Sequence, residues 1–241
     1  MICQDTYVSQ SFFNDDPIFY YISLALIFST LVCYSGVLSD PGFLPPNEQI
    51  DSPYFCRSCQ RRVPIRFFHC NKCHQCVRRQ LYHSDLADVC IGFSNYMFYF
   101  LFLVAEFLTL LFLLIISFIS LAQNDELQRT NWLLHHILLI ILIPVWLFYL
   151  IQVSILLLEH CFIIVTNGNV LETRKFFGLT YLYIQPKNRN PFFSFDFEEN
   201  LTEVFFPMKP KDYKIDDNSK LDLYNEDIQN YKDIDYVKDT Q

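Results

Sequence analysis

The sequence predicts an α-helical multi-pass membrane protein with three transmembrane helices and a cytosolic cysteine-rich domain between the first two. Three observations predict it. Apolar residues, 52% of the 241-residue chain, gather in three blocks of membrane length instead of spreading through it. Lysine and arginine alternate between the segments that separate those blocks. Six of the nine cysteines fall in one of those segments, at metal-ligand spacing.

Residues 1–17 precede the first block and form a luminal N-terminus. Ile18 to Leu38 then runs 21 residues without a charge, enough at about 1.5 Å of rise per residue to cross a hydrocarbon core of about 30 Å. Acidic Asp15 and Asp16 stand before it, where a signal peptide would carry basic residues, and no small-residue cleavage pattern follows. Phe98 to Ala122 is a 25-residue block with one charge, Glu106, placed near enough to the cytosolic interface to snorkel. Trp132 to Leu158 is a 27-residue block with none. A soluble protein of this size would have to bury three helices of that length. Lys and Arg number none in 1–17, seven in 39–96, one in 123–131 and ten in 166–241. Basic residues favour the cytosol, so the loop 39–97 and the tail 159–241 face it, and the short loop 123–131 is luminal.

That orientation decides how the cysteines read. Cytosolic thiols stay reduced, so metal ligation is favoured over disulfides. The candidates run Cys56-x2-Cys59-x9-His69-Cys70-x2-Cys73-x2-Cys76-x6-His83-x6-Cys90. Zinc takes four nitrogen or sulfur ligands in a tetrahedron, and eight ligands make two closed sites with no open position. Closed sites are structural: two zinc ions would hold the fold rather than activate water. His74 is a ninth candidate, between two knuckle cysteines, and is left out of the set.

The run "CRSCQRRVPIRFFHCNKCHQCVRRQLYHSDLADVCIGFSNYMFY" resembles the cysteine-rich domain of the DHHC protein S-acyltransferases, or palmitoyltransferases. Asp40-Pro41-Gly42 looks like the family's DPG motif. Asn167 to Glu172 stands where the family's TTxE motif follows its last span, with Asn169 and Val170 at the two threonine positions and Glu172 retained. "NPFFSFDFEENLTEVFF" is similar to the C-terminal segment whose asparagine, here Asn200, packs back near TTxE. The resemblance covers residues 18 to 206. It implies interleaved fingers, Cys56, Cys59, His69 and Cys76 around one zinc and Cys70, Cys73, His83 and Cys90 around the other. It also implies a first span before Ile18, so the chain is read as short or truncated at its start.

The resemblance implies a two-step reaction as well. A cysteine attacks the thioester of a fatty acyl-CoA, and the acyl group then passes to a protein cysteine at the cytosolic membrane face. In Asp-His-His-Cys order this chain has Leu81, Tyr82, His83 and Ser84, followed by Asp85-Leu86. His83 is the zinc histidine. Leu81 stands at the aspartate position, Tyr82 at the base position and Ser84 at the nucleophile position. A tyrosine with an ordinary pKa near 10 is a weak base at neutral pH, and a serine hydroxyl needs a base that a thiol does not. The expectation is therefore a degenerate member, a catalytically silent pseudoenzyme that scaffolds or regulates protein S-acylation. The alternatives are a weakly active palmitoyltransferase with an acyl-oxyester on Ser84, and a structural membrane subunit without lipid chemistry.

The remaining features add partners. Cys161, after the last apolar block, is an expected S-acylation acceptor, which would make the chain a lipoprotein. Residues 211–241 hold nine acidic and five basic residues and read as a solvated tail. Expected partners are membrane lipid, fatty acyl-CoA, and a protein substrate or partner acyltransferase. No nucleic acid is expected. The expected residence is the endomembrane system, endoplasmic reticulum or Golgi.

Overall fold

The computed structural model describes residues 17–46, 55–64, 66–85, 87–122, 132–170 and 197–205. It falls into two compact units. One comprises residues 1–37 and 98–161, and the other residues 38–97 and 162–241.

The first unit is helical. Helices α1 (Pro17–Val37), α2 (Tyr96–Ala122) and α3 (Trp132–Val165) are long and apolar enough to cross a membrane. Three such helices, with the cysteine-rich loop between the first two, make this a multi-pass membrane protein whose partners include lipid. The three helices do not share burial equally. The most apolar window of α2 is 28% buried, against 0% in α1 and 11% in α3, so α2 is the inner helix. Its buried residues Leu103, Leu110, Leu114 and Ser117 recur at helical spacing on one face. Phe28, Leu31 and Leu158 point outward, as hydrocarbon solvent permits. Gly36 lets α1 come close to α2, since a Cβ there would lie 2.4 Å from the Phe98 ring. Tyr34 meets Phe102 at 5.8 Å and Tyr99 meets His160 edge-on at 5.1 Å. Hydroxyls within the helices donate to their own turns, Thr30 to Leu26 O and Ser117 to Leu113 O among them. Each thereby satisfies its own hydrogen bond where no water competes. Helix α3 runs through Pro144 and on to Val165, so Cys161 lies on the helix, exposed.

The second unit is built of minimal hairpins. Strands β1 (Phe55–Cys56) and β2 (Arg61–Arg62), β3 (Phe67–Cys70) and β4 (Gln75–Arg78), and β5 (Tyr82–Ser84) and β6 (Val89–Ile91) pair antiparallel, two by two. A hairpin this short is not stable alone. Its apolar core is correspondingly thin: one cluster of Leu44, Val63 and Cys76, another of Cys70, Val77 and Cys90. Cysteines make up half of that core. The turns after Cys59 and Cys73 each use a left-handed residue, Gln60 at φ 52° and His74 at φ 53°, which reverses the chain directly behind the thiol. That placement accounts for His74, which belongs to a turn and to neither ligand group.

Two loops and two helix ends close this unit. Asp40 Oδ1 accepts from Gly42 N at 3.0 Å and Phe43 N at 3.3 Å, and Gly42 sits at φ 93°. Gly92 packs so tightly that a Cβ would fall 2.3 Å from Pro41 O. Fully buried Asn95 bridges its own loop, accepting from Gly92 N and donating to Cys90 O, both at 2.9 Å. The C-terminus of α3 ends on Asn167 at φ 47°, with Gly168 N donating to Ile163 O and Asn167 N to Ile164 O. This is the paired bonding that a left-handed cap residue allows. Helix α4 (Phe197–Phe205) buries Asn200 and Val204 and leaves Phe197 and Leu201 exposed.

Candidate metal centres and the segment they hold

The hairpins deliver their cysteines and histidines to two points. Cys56, Cys59, His69 and Cys76 converge at one, and Cys70, Cys73, His83 and Cys90 at the other, with all ligand atoms of each group within 4.8 Å of one another. The register explains it. His69 is paired with Cys76 across β3–β4, and His83 with Cys90 across β5–β6. Each pair points to one face, while the neighbouring Cys70 points to the other face and into the second group. The two groups interleave along the chain as the resemblance implies.

The distances fit a tetrahedral dication. Metal–sulfur bonds of about 2.3 Å give sulfur–sulfur edges of about 3.8 Å. In the first group Cys59 Sγ lies 3.6 Å from Cys76 Sγ and 3.1 Å from His69 Nδ1. In the second, Cys73 Sγ lies 3.3 Å from Cys90 Sγ, and His83 Nδ1 lies 3.4 Å from Cys73 Sγ, 3.6 Å from Cys90 Sγ and 3.7 Å from Cys70 Sγ. Both histidines present Nδ1. Backbone amides support the sulfurs, Cys59 N donating to Cys56 Sγ and Cys73 N to Cys70 Sγ.

Without a cation such crowding is unfavourable to thiolates. Burial first, then hydrogen bonds and charge from the neighbouring thiols, push Cys76 and Cys90 well above the usual thiol range. A dication reverses the preference, because the ligand is the thiolate. Two soft, closed, four-ligand sites are two structural zinc sites.

The segment hung on the second site is residues 81–84. Leu81 is buried and its N–H donates to Ile91 O at 2.8 Å. Tyr82 and Ser84 are half-buried on β5, and Ser84 Oγ accepts from Ala87 N at 3.3 Å. Asp85 pairs with Lys72 on the surface, which favours the charged form of both. Behind Leu81 lies a small cavity shared with Arg79, Phe93, Tyr96, Ile163, Gly168 and Val204.

Buried polar residues fasten this module to the end of α3. Arg66 Nη2 donates to Asn167 O at 2.7 Å and Arg79 Nη2 to Gly168 O at 3.2 Å. Asn169 Nδ2 donates to Gln80 O and Asn200 Nδ2 to Val165 O, each at 2.7 Å. The bonds to Val165, Asn167 and Gly168 occupy carbonyls at a helix end, and the two arginines there meet the negative end of its dipole. Asn200 and the Asp40-Pro41-Gly42 turn therefore sit in the same unit as the zinc sites. Glu172 lies outside the described residues. Sequence reasoning gave no role to Arg66, Arg79 or Gln80, because nothing in the local pattern shows that these side chains turn inward.

Comparison with known proteins agrees with this geometry. The family model described as DHHC palmitoyltransferase matches residues 49–176. The chain is 32% identical over 120 residues to palmitoyltransferase ZDHHC15 of Xenopus laevis, covering 49% of this chain and 35% of that protein. It is 30% identical over 154 residues to human palmitoyltransferase ZDHHC2, covering 63% of this chain and 40% of that protein. It thus spans about a third to two-fifths of the length of these relatives.

The expectation of a degenerate, silent member, or of a Ser84-linked intermediate, is corrected by these findings. Both four-ligand groups are complete, and the family match spans residues 49–176, a range that includes 81–84. The sequence reading rests the loss of activity on the side chains at 81, 82 and 84 while counting all eight metal ligands as present. What folds and places the domain is its metal ligation, and that is intact, His83 included. The doubt about an acyltransferase role, which rests on replacement of the nucleophile and base, falls, and the pseudoenzyme label with it. With two complete zinc groups between membrane-spanning helices and a family match over more than half its length, the chain belongs to the DHHC palmitoyltransferase family.

Proposed function

We propose that the chain works in protein S-acylation at the cytosolic face of an endomembrane, in the endoplasmic reticulum or Golgi, as a fatty acyl-CoA-dependent palmitoyltransferase. The observation that carries this reading is the completeness of both zinc groups, the second of which includes His83 of the segment 81–84. A structural metal centre is kept where it must hold a segment in one geometry. The reaction is thioester exchange: the acyl–sulfur bond of acyl-CoA breaks, a new one forms on a protein cysteine, and CoA leaves with the thiol proton. The substrates are a long-chain acyl-CoA and a protein with a membrane-proximal cysteine. All six loop cysteines are zinc ligands in this reading, and Cys161, exposed on α3, is the proposed S-acylation acceptor of the chain itself.

The test is acyl transfer by the purified full chain in nanodiscs, with an alkyne-tagged palmitoyl-CoA and a cysteine peptide carrying a membrane anchor. The reading expects hydroxylamine-sensitive label on the peptide, above a control lacking the protein, and lost when zinc is stripped. It also expects label on the chain that disappears in Cys161→Ser. Peptide acylation no faster than the control, from protein that retains both zinc ions, would overturn it.

A further inference from the structure

The second metal group is backed by two side chains that are not ligands. Gln80 is buried, and its Nε2 donates to Cys90 Sγ at 3.8 Å, within reach of a bond to sulfur. Its backbone is fixed from behind, since Asn169 Nδ2 donates to Gln80 O at 2.7 Å and Asn169 is 1% exposed. On the other side of the group, Asp88 Oδ1 lies 3.3 Å from His83 Nε2, within ion-pair range. That nitrogen is buried and has no hydrogen-bond partner among the described residues, which leaves the Asp88 carboxylate as the charged group beside it. Because His83 presents Nδ1 to the three sulfurs, Nε2 must carry the proton when the ring binds metal. A carboxylate that takes that proton's hydrogen bond fixes both tautomer and ring orientation. Asp88 itself sits at φ 48°, in the turn between β5 and β6.

We infer that Gln80 and Asp88 are positioning residues for the zinc of the second group, Gln80 acting on the Cys90 thiolate and Asp88 on the His83 ring. A hydrogen bond to a metal thiolate withdraws electron density from the sulfur. A carboxylate on the far nitrogen of a ligating imidazole raises its basicity. Together they set the retention of this one ion, the ion on which residues 81–84 hang. The first group is untouched by either residue and serves as an internal reference.

Two measurements on the full chain in detergent test it. The first is release of zinc to a chromogenic chelator, which reads the two ions as separate phases. Asp88→Ala is expected to accelerate one of the two phases about tenfold or more and leave the other unchanged. Asp88→Asn, which keeps an acceptor oxygen, is expected to restore most of the retention. The second is cobalt substitution. Gln80→Met, similar in length but without a donor, is expected to move the sulfur-to-cobalt charge-transfer band of one site to lower energy. Wild-type release in both phases with an unchanged cobalt spectrum would overturn the inference. So would equal acceleration of both phases in Asp88→Ala, because that side chain is 96% exposed and adjoins the second group alone.

Discussion

The two units of this protein are stabilised by different agents. The helical unit has apolar residues nearly all round, and α1 exposes Tyr21, Phe28 and Leu31 because the surrounding lipid is as apolar as a core. The hairpin unit has strands of two to four residues and two three-residue apolar clusters, too little to fold a domain of its size. Its order comes from metal ligation and from polar bonds to a helix end. Sensitivity should therefore concentrate in the hairpin unit, at ligands and at close backbone approaches, and be low on the lipid-facing helix surface.

The largest effect expected is at a ligand. Cys90→Ser should cost the second zinc, on a scale of about 10 kcal/mol for a structural site, and metal analysis of the purified variant should find one ion per chain. The same dependence on thiolates sets a pH effect. Because Cys76 and Cys90 hold their protons more tightly than an ordinary thiol when no metal is bound, zinc uptake should release protons, and acid should promote zinc loss. A chelator titration at falling pH reads both.

Next in size is Gly92→Ala. The added carbon would press on Pro41 O and on Val77 Cγ1, at 2.3 and 2.6 Å, and neither can yield. A loss of about 3 kcal/mol is expected, read as earlier protease cleavage of the loop. Asn200→Ala should cost about 1 kcal/mol, because Val165 O loses the donor that the buried Asn200 supplies. Asn200→Asp, which cannot donate when ionised, should be no better. The smallest effects should come from Phe28→Leu on the lipid-facing side of α1 and from Lys72→Ala, which breaks an exposed pair with Asp85. Neither should move thermal inactivation measurably, and a large effect from either would break the contrast between the units.

The parts of this architecture written in local pattern were legible from the sequence. Three apolar blocks announced three helices, since a membrane span needs only length and composition. The eight ligands were legible because zinc demands particular atoms at short spacing. Their division into two fours rested on family resemblance; the strand register that causes it, His69 opposite Cys76 and His83 opposite Cys90, is a tertiary fact. Also out of reach was the inward turn of Arg66 and Arg79, both at positive φ, to serve carbonyls about 90 to 100 residues away. The reading of residues 81–84 failed differently. It rests on three side chains weighed against the family pattern, and sets them above the complete metal site to which His83 ties that strand.

The central claim, that intact zinc ligation organises the cytosolic unit, is tested most directly by counting metal in the purified full-length chain. Plasma emission analysis against amino-acid quantitation should give two zinc atoms per polypeptide, retained through gel filtration without added metal. A value of one or none, from protein whose loop still resists protease, would contradict it.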